Sequence, residues 1–510
     1  MPQSSARIGN PRRHAIDVPA VANLVGTLAK YLGLVVVFPI GVALWYSEPA
    51  WPFIATGLGT SAFGYLLERA TPDAKTRLGA REGFLVVSAM LLATAAFASL
   101  PYLLVGGEQL DHPIDAYLEG MSAATTTGAS VVTDFDELSK SLAMWRQFTQ
   151  WLGGMGIIIL AVAILPRLRV GGRQILETEL PGPEVAALSE RIRETARSLW
   201  GLYVALTVVL ALLLASLGWL GVDDAMTPYE ALAHAFSTMP TGGFSTKVNS
   251  IQAFSPEAQW IIAAFMLIAG VNFILVFRAI VRRHPRVLVR DEEFRLYLAL
   301  VAVASIALFV QLVSYDLFSG EEAVRTAVFQ AISVITTTGY ATTDFALWPV
   351  LSLLTLFALM FLGGSAGSTT GSIKVVRHLL VGKILRRELD QTVSPEVVMP
   401  IRLNGAPVDE RTLRAIAAFI LLYVGLWAVG ASVVAIDVAI ADVPLSALDS
   451  FAVSASALGN GGPAFGITGP FGSFAPLPDV SKITMILLMW LGRLEIIPVV
   501  VLFTRHYWRL

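Results

Sequence analysis

The chain has 510 residues, of which 55% are hydrophobic and 15% charged, with a net charge of −2, whereas soluble proteins average about 45–50% apolar and 25% charged residues. This composition predicts an integral membrane protein, and the balanced charge argues against nucleic acid as a partner. The absence of cysteine excludes disulfides, thiol nucleophiles and thiolate metal sites.

Ten apolar segments are candidates for membrane spans, and most are long enough to cross about 30 Å of hydrocarbon as helices. Nine of them carry no charged residue, while the tenth contains Arg493 and Glu495 near its middle. In chain order they cover residues 31–47, 49–67, 83–107, 147–166, 198–222, 258–277, 296–315, 345–373, 415–436 and 483–503.

The basic residues predict the orientation of these spans. If the amino terminus is cytoplasmic, ten crossings return the carboxyl terminus to the cytoplasm, and the cytoplasmic segments then hold 30 of the 36 Lys and Arg residues. This asymmetry agrees with the positive-inside rule. We therefore expect both termini to be cytoplasmic.

Four of the outside loops repeat one pattern. Each contains a Ser that lies six residues before a Gly, and the next span contains a Gly-rich motif of the type WLGG. The Ser and Gly pairs are Ser122 and Gly128, Ser237 and Gly243, Ser333 and Gly339, and Ser456 and Gly462. The motifs in the spans are WLGG at 151–154, LIAG at 267–270, FLGG at 361–364 and WLGR at 490–493. Repetition of the whole pattern predicts four copies of one structural unit.

The repeat predicts an all-α integral membrane fold, in which each unit is a span, a short re-entrant pore helix and a second span. Two extra spans precede the four units. The expected segments are residues 1–80 with the cytoplasmic amino terminus and the extra spans, 81–175, 176–290, 291–395 and 396–510.

Irregular backbone at membrane depth must be buried or line water, because unpaired amides facing lipid cost several kcal/mol each. Four re-entrant loops around one axis can therefore line a pathway whose carbonyl oxygens replace the hydration shell of a cation. Glycine suits these loops because it adopts positive φ without a Cβ clash. The carboxyl end of each short helix would point at the axis, where its partial negative charge favours a cation.

At these residues the sequence resembles the Trk/Ktr/HKT superfamily of potassium transporters, and within it the bacterial Trk membrane subunits of the TrkH and TrkG type. The resemblance covers about residues 80–510, and the two extra amino-terminal spans favour Trk over Ktr. The matching motifs are TTTG at 125–128 and 336–339, GGFST at 242–246, WLGGMGI at 151–157 and the Gly-rich run of the third unit.

The resemblance implies that each loop contributes three residues to a potassium selectivity filter, mainly through backbone carbonyls. These residues are Thr126, Thr127 and Gly128; Thr241, Gly242 and Gly243; Thr337, Thr338 and Gly339; and Asn460, Gly461 and Gly462. Two loops depart from the Thr-rich pattern, since Met239 and Pro240 precede the glycines of the second and Gly459 and Pro463 flank the fourth. The pore is therefore not expected to be four-fold symmetric.

The resemblance also implies partners and a location. We expect a homodimer in the bacterial inner membrane, in contact with lipid and with a cytoplasmic ring of TrkA-like RCK nucleotide-binding subunits. The chain itself would hold no cofactor; potassium is its substrate, bound at the filter only, and any regulatory nucleotide would bind the partner. The six histidines have no metal-ligand spacing.

Arg493 is a charged residue in the middle of the last span, a placement that costs roughly 2.5–3.5 kcal/mol on insertion scales. The WLGR motif aligns it with glycines of the other units, and in the family a pore arginine stands at this position. One interpretation is a positive barrier below the filter; the other is a structural salt bridge with Glu495 or another buried acid.

The third unit contains a run of glycines and hydroxyl residues that disfavours helix. In the family this position is an intramembrane gate, and the alternative is a kinked helix that packs tightly through small residues. A phosphate-binding loop is excluded because the Gly-Lys-Ser/Thr ending is missing. The expected gate residues are Gly363, Gly364, Ser365, Ala366, Gly367, Ser368, Thr369, Thr370 and Gly371.

Taken together, these patterns predict potassium uptake through a channel-like filter with an intramembrane gate. The alternative is a cation secondary transporter that couples potassium or sodium to protons, although such carriers commonly show inverted repeats. An integral-membrane enzyme would need a cluster of acids, histidines or a nucleophile at one interface, which the sequence does not show. We therefore do not expect an enzyme.

Overall fold

The computed structural model describes residues 16–71, 79–163, 185–395 and 399–508. The expected cytoplasmic amino terminus before residue 16 and the expected boundaries at 175/176 and 395/396 fall wholly or partly outside these residues. The described chain is almost entirely helical. Its strands are β1 (Arg402–Leu403) and β2 (Ala406–Pro407), which pair antiparallel in one hairpin.

Two helical rods precede the repeats. Helix α1 (Val18–Leu32), a 3₁₀ turn (Gly33–Val36) and helix α2 (Val37–Trp45) form one rod, and helix α3 (Trp51–Ala70) packs against it. The first rod begins well before the apolar run at 31–47. It includes the charged residue Lys30, whose side chain is paired with Glu68 of α3 at 2.6 Å. Glycines bring the two rods into backbone contact, which is a common device of membrane helices.

Each of the four units has a long first helix followed by a short pore helix that packs against it. The first helices are α4 (Ala80–Val105) in unit 1, α7 (Val185–Trp219) in unit 2, α12 (Glu292–Ser314) in unit 3 and α16 (Glu410–Ile440) in unit 4. The pore helices are α5 (Pro113–Ala124), α8 (Pro228–Thr238), α13 (Gly320–Ile335) and α17 (Ala447–Gly459).

The second helix of each unit follows the loop after the pore helix. These helices are α6 (Lys140–Ala163), α9 (Pro256–Ala269) continued by α10 (Phe273–Ile280), α14 (Val350–Leu359) followed by α15 (Val375–Val393), and α18 (Asp479–Arg493) continued by α19 (Ile497–Val500). The remaining elements are α11 (Arg286–Arg290), α20 (Arg505–Trp508) and 3₁₀ turns at Ser250–Ala253, Phe345–Leu347, Gly466–Thr468 and Val501–Phe503.

The starts of the pore helices carry ordinary helix signals. Proline occupies the first turn of α5 and α8, where its missing N–H costs no hydrogen bond. Ser446 and Asp449 form a reciprocal capping box at the start of α17. Three of the four short helices therefore begin for local reasons, and the carboxyl ends of all four lead into the loops described below.

Several second helices are broken inside the apolar segment that predicted them. Helices α9 and α10 bend by 108°, and α18 bends by 111° into the short helical segment Ile497–Phe503. In the described chain, five straight helices are long and apolar enough to cross a membrane, and each of the two bent pairs adds one more. The expected total of ten membrane spans additionally requires that α3, α6 and the ten-residue α14 each cross the membrane. Irregular backbone therefore interrupts the spans expected at 258–277 and 483–503, and each remains one candidate span.

Candidate ion pathway

All four pore helices end in the same unusual backbone conformation. The first and third expected filter residues of every loop have positive φ, and the second does not. The angles are 53° and 87° at Thr126 and Gly128, 55° and 80° at Thr241 and Gly243, 53° and 81° at Thr337 and Gly339, and 54° and 84° at Asn460 and Gly462. Left-handed backbone is costly for residues with a Cβ. Its repetition at four threonine or asparagine positions shows that the loops share one structure despite their different sequences.

The repeated serine has a backbone role in this structure. Each of these serines lies in a pore helix, and its carbonyl oxygen accepts from the backbone N–H of the second filter residue. The N–O distances are 2.8 Å for Thr127 and Ser122, 2.8 Å for Gly242 and Ser237, 2.9 Å for Thr338 and Ser333, and 2.9 Å for Gly461 and Ser456. The six-residue spacing between Ser and Gly thus marks the turn that reverses the chain at the end of each helix.

The third filter glycines bring the four loops into a closed ring. A Cβ added to any of them would meet a backbone oxygen of the neighbouring loop, which in units 3 and 4 lies at 2.5 and 2.9 Å. The pairs are Gly128 with Gly242, Gly243 with Thr338, Gly339 with Gly461, and Gly462 with Thr127. Loop 1 therefore contacts loop 2, loop 2 contacts loop 3, loop 3 contacts loop 4, and loop 4 returns to loop 1.

Most backbone oxygens of this ring have no hydrogen-bond donor. Of the twelve filter carbonyls, only those of Gly242 and Gly462 accept a hydrogen bond from a residue that the structure describes. Ordinarily more than 90% of buried carbonyls are paired. Unpaired peptide oxygens can coordinate a partly dehydrated cation, so the ten free carbonyls of this largely buried ring are candidate cation ligands.

The threonine side chains of two loops are used within their own loop. The hydroxyls of Thr125 and Thr127 lie 2.7 Å apart in unit 1, and those of Thr336 and Thr338 lie 2.8 Å apart in unit 3. These pairs, here called the Thr braces, fix the second filter residue from its side-chain end. Because the hydroxyls of Thr127 and Thr338 bond to other hydroxyls, they do not donate to the backbone carbonyls of the same residues.

The expected gate segment, residues 363–371, is not helical and packs against three units. Thr369 donates from Oγ1 to the carbonyl of Met239 at 3.2 Å, and the backbone N–H of Gly371 donates to Thr337 Oγ1 at 2.7 Å. A Cβ on Gly371 would clash with Gly459 of unit 4. The segment therefore interrupts the helix of unit 3 and lies against the carboxyl-terminal ends of the pore helices of units 2, 3 and 4.

Arg493 is 4% exposed and reaches the gate segment directly. Its Nη1 donates to the carbonyl of Thr369 at 2.9 Å, and its Nη2 lies 3.5 Å from the carbonyl of Gly153 in unit 1. Glu495 pairs with Arg377 instead. Arg493 forms no ion pair with a carboxylate of the described residues, so the expected alternative of a salt bridge with Glu495 is not the arrangement found.

Two charged residues that the sequence analysis missed hold the gate segment. Glu293 of α12 is 4% exposed, and its Oε1 accepts from the backbone N–H of Ala366 at 2.7 Å and of Val376 at 3.1 Å. Lys374 Nζ donates to the carbonyl and hydroxyl of Thr370. In the sequence Glu293 follows Asp291 and Glu292 at a helix start, where acidic residues are common. Its position therefore gave no signal that it contacts a loop more than 70 residues away.

A buried ion pair that was also missed supports the filter from its outer side. Glu119 and Arg146 lie 2.7 Å apart with both side chains fully buried. Arg146 also donates to Ser130 Oγ at 3.0 Å and to the carbonyl of Ser245 in unit 2 at 3.3 Å, and Glu119 accepts from the N–H of Val131. The pair therefore ties the irregular segment after loop 1 to the irregular segment after loop 2.

The described residues include no group of three or more His, Asp or Glu side chains placed to hold a metal ion. The oxygens that meet at the ring of filter loops belong to peptide groups and not to ionised side chains. Such oxygens suit a weakly bound monovalent cation.

Comparison with known proteins agrees with this architecture. The family model TrkH, described as a cation transport protein, matches residues 52–509. The Trk system potassium uptake protein TrkH of Halomonas elongata is 36% identical over 96% of this chain and 99% of its own length, and TrkG of Escherichia coli K12 is 32% identical over 96% and 99%. The crystal structure of the potassium transporter TrkH from Vibrio parahaemolyticus matches with a TM-score of 0.85 at 34% identity, covering 97% of this chain and 100% of that one. The chain therefore belongs to the TrkH family of cation transport proteins.

Proposed function

We propose that this protein takes up potassium across the bacterial inner membrane through the ring of four filter loops. The relatives that match nearly its whole length are named Trk system potassium uptake proteins. The observation that carries the proposal is the closed ring in which ten of twelve filter carbonyls have no donor among the described residues. A partly dehydrated cation supplies the missing partner, as in other carbonyl-lined filters.

The pore helices favour a cation at this ring for a second reason. All four end at the filter, so the partial negative charges of their carboxyl ends converge there. No acidic side chain is needed for this field. A membrane potential contributes about 2.3 kcal/mol per charge per 100 mV, so inward movement of potassium requires no chemistry in this chain.

The gate and the barrier belong to the same proposal. Residues 363–371 lie against three of the pore helices, and Arg493 binds the middle of this segment. We propose that potassium leaves the filter toward the cytoplasm only when this segment moves and Arg493 releases Thr369. A buried guanidinium beside the pathway raises the energy of a cation there, which limits flux.

Further parts of the proposal concern assembly and boundaries. The word system in the names of the relatives implies additional subunits, and we propose a homodimer with a cytoplasmic TrkA-like RCK ring that carries the regulatory nucleotide. Both termini are proposed to be cytoplasmic, and the units to extend over 81–175, 176–290, 291–395 and 396–510. The basic segments around Arg278–Arg290 and Lys374–Arg387 are proposed to face this ring or anionic lipid.

The experiment that tests the filter compares cation flux into liposomes for K⁺, Rb⁺, Na⁺ and Li⁺. Gly339→Ala forces a Cβ at positive φ into contact with Gly461 and Pro463, so we expect the preference for K⁺ and Rb⁺ over Na⁺ to fall. Gly425→Ala is the matched control, because this exposed glycine of α16 has nothing within 4 Å of an added Cβ. Equal flux of all four ions in the parent protein would refute a potassium filter.

Ion binding should be measured on the same proteins, because it does not require an open gate. A ligand that binds only the folded state raises its stability by mass action, so K⁺ should raise the melting temperature more than Na⁺ does. Gly339→Ala should lose this difference, whereas Gly425→Ala should keep it.

A carrier that couples cations to protons is distinguished by uptake that follows an imposed pH gradient without a membrane potential.

A further inference from the structure

One position before the Gly-rich motif of the second helix distinguishes unit 1 from the other units. Units 2, 3 and 4 have methionine there, at Met266, Met360 and Met489, whereas unit 1 has Gln150. The Gln150 side chain is fully buried. A buried amide in a membrane protein needs hydrogen-bond partners, and those it finds belong to the next unit.

The Gln150 side chain binds the loop of unit 2 at three points. Its Nε2 donates to the carbonyl oxygen of Gly242, the second filter residue, at 2.7 Å. Its Oε1 accepts from Ser237 Oγ at 2.6 Å and from the backbone N–H of Phe244 at 3.3 Å. The Gln150 side chain thus joins the end of the pore helix, the filter and the irregular segment that follows the filter.

Unit 2 has no Thr brace to fix its second filter residue. The Thr braces of units 1 and 3 need hydroxyls on the second filter residue and two residues before it, and unit 2 has Gly242 and Pro240 at those positions. Unit 4 likewise lacks a Thr brace, and there the Asn460 amide donates to Thr127 Oγ1 and to the carbonyl of Met489, each at 3.0 Å. Two loops are therefore held by hydroxyl pairs and two by amides.

We propose that Gln150 is a specificity-determining positioning residue of the filter, which fixes the Gly242 peptide and reduces the availability of its carbonyl oxygen to the permeating cation. This inference rests on the proposed filter. A carbonyl that already accepts a hydrogen bond from an amide is a weaker ligand than the free carbonyls of Thr127, Thr338 and Gly461 at the same level. The filter is then asymmetric in its ligands as well as in its sequence.

The test replaces Gln150 by the residue that the other three units carry. Gln150→Met should lower the ratio of K⁺ to Na⁺ permeability about two- to tenfold, the range that loss of one hydrogen bond corresponds to, while total cation flux persists. Gln147→Met is the matched control. Gln147 lies one turn earlier on α6, is equally buried, and neither of its side-chain polar atoms has a partner among the described residues. Its replacement should leave the ratio unchanged.

A second pair of variants covers the case in which Gln150→Met does not fold. Ser237→Ala removes one of the contacts that orient the Gln150 amide, so a smaller fall in the same ratio is expected. The equivalent Ser122 of unit 1 has a hydroxyl with no partner among the described residues, and Ser122→Ala is its control. If neither Gln150→Met nor Ser237→Ala changes the ratio relative to its control, Gln150 has no role in specificity.

The Gly339→Ala protein separates this inference from the filter itself. If Gly339→Ala lowers selectivity and the folded Gln150 and Ser237 variants do not, the filter stands and the role of Gln150 is wrong. If none of the three changes selectivity, the filter proposal fails as well, because a forced Cβ at the ring has no effect.

Discussion

The guanidinium of Arg493 donates to the carbonyl oxygen of Thr369 across 2.9 Å, and this bond joins the broken second helix of unit 4 to the segment that interrupts unit 3. The proposed barrier residue and the proposed gate segment are therefore in direct contact in this structure. Thr369 also donates to Met239 at the end of the unit 2 pore helix. Movement of the proposed gate segment must break contacts with at least two other units, so we propose that the arrangement described is the closed one.

Replacement of Arg493 tests the barrier. Arg493→Ala removes the buried charge and the bond to Thr369, so we expect faster cation flux in liposomes at unchanged ion preference. Arg493→Lys keeps the charge but cannot reproduce the geometry of the guanidinium, and should give an intermediate rate. Arg414→Ala, at an exposed position of α16, is the control. Flux of Arg493→Ala at or below that of the control would contradict the barrier.

Replacement of Glu293 tests the closed state of the gate segment. Its Oε1 accepts from Ala366 and Val376 together, so Glu293→Ala should release the segment and raise flux. Glu293→Gln keeps an oxygen that can accept these bonds and should have a smaller effect. Hydrogen bonds to a charged group are worth about 1.5–3 kcal/mol, which corresponds to a rise of roughly ten- to a hundredfold in the open population.

The absence of cysteine allows this opening to be measured directly. Ser365 is buried and its hydroxyl has no partner among the described residues, so Ser365→Cys adds a nearly isosteric thiol to the gate segment. A small water-soluble thiol reagent should modify this cysteine faster in combination with Glu293→Ala. Glu257→Ala, at an exposed position of α9, serves as the control. Equal modification rates in both combinations would show that Glu293 does not hold the segment.

The Glu119 and Arg146 pair is expected to stabilise the fold around the filter. Removal of one partner leaves the other charged and buried, at a cost of about 3–5 kcal/mol. Glu119→Gln should therefore lower the melting temperature of the purified protein far more than Glu322→Gln, whose side chain is exposed. A melting temperature of Glu119→Gln equal to that of the control would show that the pair contributes little.

The sequence predicted those features that repeat. The spacing between Ser122 and Gly128 recurs in all four units, and the structure gives each copy the same backbone turn. Asn460 was placed at the filter by alignment with Thr126, and it adopts the same left-handed conformation. Repetition was informative because four loops must share one geometry to form a closed ring.

Contacts that occur only once could not be predicted in this way. Gln150 and Gly242 are 92 residues apart, and Glu293 and Ala366 are 73 apart. Neither pair has a counterpart among the described residues of another unit, so no pattern in a single sequence joins them. The bends of 108° and 111° were not expected either, because each lies inside a segment that is long enough to cross the membrane as one helix.

The most direct test of the central claim is to locate a bound ion in the ring. A crystal structure of the protein in Rb⁺, with anomalous differences recorded, should show density on the axis among the carbonyl oxygens of Thr127, Thr338 and Gly461, and this density should disappear when Na⁺ replaces Rb⁺. Rb⁺ sites elsewhere in the protein with none inside the ring would contradict the account, because ten unpaired carbonyls would then have another explanation.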